Sequence, residues 1–253
     1  MIRVLAIVFS LILLLVVLAG GGSLYALWQF GRDLPDYSQL ADYRPAVMSR
    51  VHAGDGTLIG EFAHQRRLFV PIAAMPRRVI QAFLSAEDKT FYTHPGIDFA
   101  GIASAVLRNI KNIGGKRRPV GASTITQQLV KNAILSTEQT YTRKIKEMIL
   151  AFALERRYTK DEILQLYLNE IPYGSVNYGI EAAAQDYYGK HASELSLPEA
   201  ATLAALPQAP TTYINNPDRL EVRRDWILQS MADLEYLTQE EADVAMAEET
   251  PLQ

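Results

Sequence analysis

A glutamate at the end of an apolar helical stripe is the first candidate for chemistry in this sequence. Apolar residues recur at helical spacing from Val79 to Leu84, and Glu87 continues the same face. Burial in an apolar cleft raises the pKa of a carboxyl group, as a general acid or base requires near neutral pH. Alternatively, Glu87 only caps or pairs at a helix end. Asp88, His94 and Asp98 are interpreted chiefly as the scaffold of the turn that follows.

A second candidate is the start of a helix within residues 121–132. Hydroxyl, amide and ammonium groups are concentrated there, at Ser123, Thr124, Gln127, Gln128 and Lys131. A helix N-terminus offers free amide donors and the positive end of the helix dipole, so these residues favour a phosphate or pyrophosphate site. The alternative is a capping box of Thr124 and Gln127 that binds no ligand.

Arg143 and Glu147 lie one turn apart at the start of a third segment. The helix continues into the almost wholly apolar residues 148–154, and a helix that is apolar on all sides is usually buried. The pair is either a structural ion pair or a second acidic site residue beside a cation for an anionic leaving group. Asn169, near the end of a later helix, is interpreted from the pattern as a packing residue with one polar bond.

Composition limits the classes of function. The 253 residues suffice for an enzyme, and the net charge of -3 argues against a nucleic-acid binder. Cysteine is absent, which excludes disulfides and thiolate chemistry. Glu87, Asp88 and Asp98 could bind a divalent cation through oxygen, but no calcium-loop pattern surrounds them and the histidines show no metal-ligand spacing. We expect no required metal or cofactor, with assistance by a divalent cation left open.

The elements that position these residues begin with an uncharged segment. No side chain from Val4 through Gly31 is charged, and a transmembrane helix needs about 20 apolar residues. A cleaved signal peptide is the alternative, but a clean cleavage site is missing. Arg3 precedes the segment, whereas Arg32 is offset by acidic residues after it. The sequence therefore predicts a single-pass helix with its N-terminus in the cytoplasm.

The rest of the chain is predicted to be mainly α. Alternating runs around Asp55-Gly56 indicate a small β-hairpin, because this dipeptide favours tight turns. Beyond Pro76, helical periods and capping-box spacings dominate, and small residues after Glu199 predict a helix that a neighbour approaches closely. The expected domains are residues 1–31 with the membrane helix, a linker at 32–71 and a helical domain at 72–253.

One helix of this domain, near residues 100–118, has an unusual composition. Apolar residues from Ile102 onward interleave with Arg108 and Lys111 and run into the basic residues 116–118. This pattern is typical of a helix that lies in a membrane interface. The alternative is a core helix followed by a solvated basic loop.

Five segments in this order resemble the motifs of the peptidoglycan glycosyltransferase family, the lysozyme-like transglycosylases of bacterial cell-wall synthesis. They are EDKTFYTHPGID, GASTITQQLVKN, RKIKE, the YLN of ILQLYLNEIPYG, and EAATLAALPQAP, and the likeness spans residues 47–210. The stretch 47–71 resembles class A penicillin-binding proteins. Serine transpeptidase motifs are missing, so we expect the N-terminal portion of such a protein, cut near Gln253.

The resemblance implies a lysozyme-like fold and a reaction. Lipid II would be polymerised into glycan strands, with inversion and release of undecaprenyl pyrophosphate. It implies Glu87 as general base, Glu147 as a second catalytic carboxylate, and Lys131 and Arg143 beside the pyrophosphate. The residues similar to positions that bind substrate in the cleft or support it are Ser123, Thr124, Gln127, Gln128 and Asn169.

The same resemblance implies a place and partners. The helical domain would lie on the periplasmic or extracellular side of the cytoplasmic membrane, with cell-wall synthesis proteins and a missing transpeptidase portion as partners. Two rival hypotheses remain. Glu87 and Glu147 could be the acid and base of a lysozyme-type hydrolase, or the chain could be a membrane-anchored module that binds glycan without chemistry.

Overall fold

The computed structural model describes residues 2–31, 49–55, 58–62, 66–112, 121–135 and 141–252. These residues are mainly helical, as the sequence predicts. The helices are α1 (Ile2–Gly31), α2 (Arg77–Glu87), α3 (Phe99–Lys111), α4 (Ile125–Ala133), α5 (Tyr141–Glu155), α6 (Lys160–Glu170), α7 (Ile180–Tyr188), α8 (Leu197–Ala205), α9 (Pro210–Ile214), α10 (Pro217–Asp233) and α11 (Gln239–Ala247).

Five short strands accompany the helices. They are β1 (Ser49–His52), β2 (Leu58–Phe62), β3 (Arg66–Arg67), β4 (Pro172–Gly174) and β5 (Asn177–Tyr178). β1 and β2 pair antiparallel with Ser49 opposite Phe62, which confirms the predicted hairpin. β3 lies parallel to β5, which also pairs antiparallel with β4. The sequence did not predict this second sheet, which joins the linker to the helical domain.

The core is built around α8. Every residue of this helix is buried, and Ala200, Ala201 and Ala204 are fully inaccessible. Because these side chains are small, α2 and α10 can both pack closely against α8. The predicted close approach at this helix is therefore confirmed. On the other side of the domain, α4 packs between α5 and α6.

Capping boxes fix the starts of several helices. Thr159 caps α6, Ser196 caps α8 and Thr238 caps α11, each with a glutamate three residues later that accepts from the backbone of the cap residue. Such reciprocal bonds satisfy amide donors that have no partner within the helix. All three predicted capping boxes are confirmed.

Over the described residues 2–31, the uncharged N-terminal segment forms one helix, α1. Within the part of the chain that the structure describes, no helix is long and apolar enough to cross a membrane. Residues 32–48, 56–57 and 63–65 of the predicted linker lie outside the described residues.

The amphipathic helix near residues 100–118 is shorter than predicted. α3 ends at Lys111, and residues 113–120, with the basic run, lie outside the described residues. Ala105 is the one residue of α3 that is buried, whereas Val106, Leu107 and Ile110 are 49%, 60% and 57% exposed. The alternative of an ordinary core helix is therefore wrong, because the apolar face of α3 does not pack into the domain.

Candidate active site

Glu87 is the last residue of α2, where an apolar helix face meets a cleft. Val79 and Phe83 of the same helix are fully buried, and the Glu87 side chain is only 10% exposed. Its Oε2 accepts a hydrogen bond of 2.7 Å from Nε2 of Gln128 on α4. Its Oε1 has no hydrogen bond, and Nη2 of Arg223 lies 3.8 Å from it. Among the described residues, the carboxylate is thus hydrogen-bonded at Oε2 and has only a more distant charge partner at Oε1.

Burial raises the pKa of the Glu87 carboxyl group above its ordinary value. The hydrogen bond from Gln128 and the charge of Arg223 partly offset this effect, whereas the nearby Asp88 adds to it. Behind Glu87, the phenols of Tyr167 and Tyr173 are fully buried, and their pKa values are raised by burial and by the charge of Glu87. Both phenols therefore stay neutral, and Glu87 has the raised proton affinity that suits a general base.

Asp88 and His94 form the scaffold that the sequence predicts for this turn. The amide of Gly96 donates to Nδ1 of His94 at 3.1 Å, so Nε2 carries the proton and donates to both Asp88 oxygens at 2.9 and 3.0 Å. Asp88 Oδ2 also accepts from the amide of Ile125 at 3.0 Å. The turn after Glu87 is thereby tied to the first residue of α4.

Asp98 completes this scaffold by capping α3. Its Oδ1 accepts from the amide of Gly101 at 2.8 Å, and its Oδ2 accepts from the hydroxyl of Thr90 at 3.1 Å. Gly96 has a φ of +89°, and a Cβ there would lie 2.9 Å from the carbonyl oxygen of Ala151. Glycine is therefore required where the turn passes α5.

The start of α4 is a capping box, as one of the two interpretations proposes. Thr124 is the cap, its hydroxyl accepts from the amide of Gln127, and Gln127 Oε1 accepts from the amide of Thr124. The Thr124 hydroxyl also donates to the carbonyl of Gly96 at 2.6 Å. Thr124 and Gln127 are 2% and 1% exposed, so both mainly hold the helix start in place. Gln128 and Lys131 follow on α4, towards the cleft.

Glu147 is buried at the start of α5 between two cations. Its Oε1 lies 3.0 Å from Nε of Arg143, and its Oε2 accepts from Nζ of Lys144 at 2.7 Å. Lys144 also donates to the hydroxyl of Ser123 at 3.1 Å. The predicted inward direction of Glu147 is confirmed, and the ion pair with Arg143 is present. Lys144 was missed, although it belongs to the same basic run of the sequence.

Six of the predicted residues line one cleft of about 570 Å³. It brings together Glu87, Ser123, Gln127, Gln128, Lys131 and Glu147. Lys131 is exposed and, among the described residues, makes no hydrogen bond or ion pair. The cleft therefore presents an ammonium group that is available for an anionic ligand. Arg143 does not line the cleft itself but contacts Glu147, which does.

A second cavity, of about 370 Å³, also borders Glu87. Its lining includes Ser85, Thr124, Lys89 and Arg108. Glu87 and Ser123 line both cavities. The carboxylate is thus placed where two binding volumes meet, which suits a group that acts between two substrates.

Asn169 lies outside both cavities. It is 2% exposed, and its amide bonds the backbone N–H and C=O of Val70 at 2.8 and 2.9 Å. The same amide nitrogen donates to the carbonyl of Gln165. The polar atoms of Asn169 therefore hold the linker against α6, which fits a supporting position, and a substrate contact at Asn169 stays a prediction. The simpler interpretation, a packing residue with a polar bond, is confirmed.

Two residues of the cleft were not found from the sequence. Arg223 and Trp226 reach it from α10, and the guanidinium of Arg223 lies 4.3 Å from the centre of the Trp226 ring. Nη2 of Arg223 also donates to the carbonyl of Ala86 at 3.0 Å. A tryptophan close to a pair of arginines in one helix is the available signal, but α10 lies after the last of the five motifs.

The apolar helix α5 differs from its prediction in one respect. Leu150, Ala151 and Leu154 are fully buried, but Phe152 is 45% exposed, so the helix is not buried on all sides.

As for metals, the described residues contain no cluster of three or more histidine, aspartate or glutamate side chains that could hold an ion.

Comparisons with known proteins identify the family of the chain. Residues 55–232 match the family model described as Transglycosylase. The chain is 46% identical over 236 residues to penicillin-binding protein 1A of Rickettsia felis, which covers 92% of this chain and 30% of that protein. It is 42% identical over 243 residues to penicillin-binding protein 1A of Neisseria lactamica, covering 95% of this chain and 30% of that protein.

Among solved structures, the crystal structure of penicillin-binding protein 1A from Haemophilus influenzae matches with 29% identity and a TM-score of 0.47. It covers 83% of this chain and 22% of that one. The chain spans less than a third of the length of the relatives it matches. The family model covers most of the chain, including every residue of the cleft. The chain therefore belongs to the transglycosylase family.

Proposed function

We propose that this chain is a peptidoglycan glycosyltransferase that polymerises lipid II. The observation that carries the proposal is one cleft in which Glu87, whose pKa is raised by burial, shares the lining with the unpaired Lys131 and with Glu147, which two cations hold. A base and preorganised positive charge are what a transfer from a diphosphate donor requires.

Glu87 acts as the general base in this proposal. The 4-hydroxyl of the acceptor N-acetylglucosamine gives its proton to the Glu87 carboxylate while its oxygen attacks the anomeric carbon of the donor. The bond from that carbon to the diphosphate breaks, and the electron pair leaves with undecaprenyl pyrophosphate. Attack opposite to the leaving group inverts the configuration. The position of Glu87 between two cavities supports this role, since donor and acceptor each need a volume beside it.

Lys131 in the cleft and the two cations bound to Glu147 receive the leaving group. Lys131 has no partner among the described residues to compete for its charge, and Arg143 and Lys144 flank Glu147. Fixed positive charge stabilises the negative charge that develops on the diphosphate, and it needs no reorganisation during the reaction. Glu147, bound by both cations, orients them towards the donor.

A lysozyme-type hydrolase is the rival enzyme. It would use Glu87 and Glu147 as its two carboxyl groups. However, cleavage of a glycan strand by water releases no anion that three cations would have to stabilise. The cluster of Lys131, Arg143 and Lys144 therefore favours transfer over hydrolysis. A module that binds without chemistry has no need of a buried carboxylate with a raised pKa.

We further propose that the enzyme works at the surface of the cytoplasmic membrane, where a polyprenyl substrate resides. The apolar side chains of α3 are exposed, and Arg108 and Lys111 lie in its last turn, as suits an interface with anionic head groups. A single-pass anchor with its N-terminus in the cytoplasm is part of this proposal and rests on the uncharged residues from Val4 to Gly31. The helical domain would then lie on the outer side.

The growing glycan strand, cell-wall synthesis proteins and a C-terminal transpeptidase portion are the proposed partners. The greater length of the penicillin-binding protein relatives supports the last of these. The proposal includes no required cofactor, and assistance by a divalent cation is tested by adding chelator to the assay.

The deciding experiment is incubation with lipid II. Polymeric strands and free undecaprenyl pyrophosphate are the expected products. Cleavage of preformed glycan without polymerisation would instead establish the hydrolase, and binding without any product would establish the binding module.

A further inference from the structure

Arg223 links α10 to the end of α2 beside the reactive carboxylate. Its Nη2 donates to the carbonyl of Ala86 at 3.0 Å and lies 3.8 Å from Oε1 of Glu87. That oxygen makes no hydrogen bond with the described residues, so the guanidinium is a charge partner on the side of Glu87 opposite to Gln128. The Arg223 side chain is 16% exposed, and water therefore screens the attraction only weakly.

Trp226 holds the guanidinium in this place. It follows Arg223 by three residues on the same helix face, and the guanidinium carbon lies 4.3 Å from the centre of the indole ring. Nζ of Lys89 lies 5.2 Å from the same ring. A planar cation that stacks on an aromatic ring and donates to a fixed carbonyl loses most of its rotamer freedom. Arg223 is thus a rigid group rather than a mobile surface charge.

The neighbouring arginine shows what a purely structural role looks like in this helix. Arg224 is 3% exposed, and its guanidinium donates to the carbonyls of Met246 and Glu248 and to the hydroxyl of Thr250. In contrast, Nε of Arg223 is buried and has no hydrogen-bond partner among the described residues. Among the described residues, the guanidinium of Arg223 makes only the bond from Nη2 to the carbonyl of Ala86, so the fold uses fewer of its donors than those of Arg224.

We propose that Arg223, stacked on Trp226, is a positioning residue that holds the Glu87 carboxylate in its reactive orientation between the two cavities. The inference rests on the proposed function, since it assigns Arg223 a part in the work of Glu87 as base. Gln128 fixes Oε2 from α4, and Arg223 fixes the other edge of the carboxylate from α10. Residues of α4 and α10 then hold the Glu87 side chain in one rotamer, and the oxygen that accepts the proton faces the acceptor substrate.

Other ionisable groups also surround Glu87 and enter any pH profile. They are Asp88 and Lys89 in the turn after α2, Lys131 on α4, Glu147 on α5, Tyr167 on α6 and Tyr173 on β4. Asp88 raises the pKa of Glu87, and the cation that lowers it is Arg223. Loss of the Arg223 charge must therefore raise the pKa of Glu87, and among the described residues no other cation forms an ion pair with it.

The test compares Arg223→Met, Arg223→Lys and Trp226→Leu with the unchanged chain in lipid II polymerisation across pH. Activity falls at acidic pH as Glu87 takes up a proton. Arg223→Met should move this acidic limb to higher pH and lower kcat by about 10- to 100-fold, as small misplacements of reacting groups do, with little change in KM. Arg223→Lys should keep the limb near its original pH with a reduced kcat, because lysine retains the charge but lacks the planar guanidinium that stacks on Trp226. Trp226→Leu should move the limb in the same direction as Arg223→Met.

Arg219→Met is the matched control, because Arg219 is exposed on the same helix and outside both cavities. It should leave kcat and the limb unchanged. An acidic limb that stays in place in Arg223→Met would overturn the proposal, whatever happens to kcat. If that variant does not fold, Trp226→Leu decides: an unmoved limb overturns the proposal.

A measurement that needs no activity separates this proposal from the proposed function. Carbon NMR of labelled glutamate carboxyl groups, assigned with Glu87→Gln, reports the titration of Glu87 directly. The Glu87 midpoint should rise in Arg223→Met and not in Arg219→Met. If the unchanged chain does not polymerise lipid II, the proposed function fails, but a risen midpoint still establishes the coupling of Arg223 to Glu87. An unchanged midpoint refutes that coupling even in an active enzyme.

Discussion

Nε2 of Gln128 donates a hydrogen bond of 2.7 Å to Oε2 of Glu87, and this bond joins α4 to α2 where the cleft begins. The other amide atom, Oε1 of Gln128, faces the hydroxyl of Tyr167 at 3.5 Å. Because Tyr167 is fully buried on α6, residues of α2, α4 and α6 together orient the Glu87 carboxylate. The sequence motifs include Glu87, Gln128 and Tyr167, but they do not show that these side chains contact one another.

Replacement of Glu87 by glutamine should abolish polymerisation and leave the fold intact. Loss of the general base costs about 10² to 10⁴-fold in rate. Burial raises the pKa of Glu87 in the folded state, so its ionisation destabilises the fold as pH rises from the unfolded value through the folded one. At neutral pH, Glu87→Gln should therefore unfold at the same temperature as the unchanged chain or higher.

Strand synthesis from lipid II and thermal unfolding measure these two effects. Glu240→Gln, at an exposed position of α11, is the control and should keep full activity. Retention of more than a few per cent of activity in Glu87→Gln would contradict its role as base.

Replacement of Gln128 by leucine should shift the pH dependence of polymerisation. The hydrogen bond from Gln128 lowers the pKa of Glu87, so its loss raises that pKa. The acidic side of the pH profile, where Glu87 becomes protonated and activity is lost, should therefore move to higher pH. The pH profile of kcat measures the shift. Gln229→Leu on the outer face of α10 serves as control, and a profile identical to it would count against the coupling.

Lys131→Ala should slow the reaction without loss of stability. Lys131 is exposed and makes no bond among the described residues, so its removal costs the fold little. Removal of one preorganised charge from a developing anion typically costs about 10² to 10³-fold in kcat. Steady-state kinetics with lipid II test this, with Arg77→Ala as an exposed cation outside the cleft. Equal kinetics for the two variants would remove Lys131 from the site.

Asp88→Asn should destabilise the domain. The carboxylate accepts from both Nε2 of His94 and the amide of Ile125, and an asparagine amide can satisfy only part of this set. We expect a loss of about 1–3 kcal/mol in the free energy of unfolding, as for other buried polar groups left without partners. Urea unfolding provides the value. Asp218→Asn, at an exposed position of α10, should change it by much less, and an equal change would contradict a scaffold role for Asp88.

The exposed face of α3 should bind membranes. We expect Ser at positions Val106, Leu107 and Ile110 together to weaken binding to anionic vesicles by at least about tenfold, because each large apolar side chain contributes about 1.5–3 kcal/mol when buried. A variant without residues 1–31 isolates this surface. The same change at Val176, Val222 and Val244, which are exposed elsewhere, is the control. Equal binding by both triple variants would refute the membrane role of α3.

Local chemistry in the chain accounts for most of the elements. Helical periods, capping boxes such as that of Thr159, and the Asp55-Gly56 turn depend on residues a few positions apart, so their effects can be read without the fold. Glu87, Lys131 and Glu147 could be named for the same reason, because each stands in a recognisable segment. Their gathering in one cleft agrees with that reading.

Contacts between distant parts of the chain could not be read in this way. Arg223 bonds the carbonyl of Ala86 across 137 positions, and Asn169 bonds Val70 across 99. No period or spacing in the sequence records which helix packs against which, since that depends on how the small residues of α8 let α2 and α10 approach. Close packing in three dimensions therefore places Asn169 where it bonds the linker, and it brings Arg223 next to Glu87.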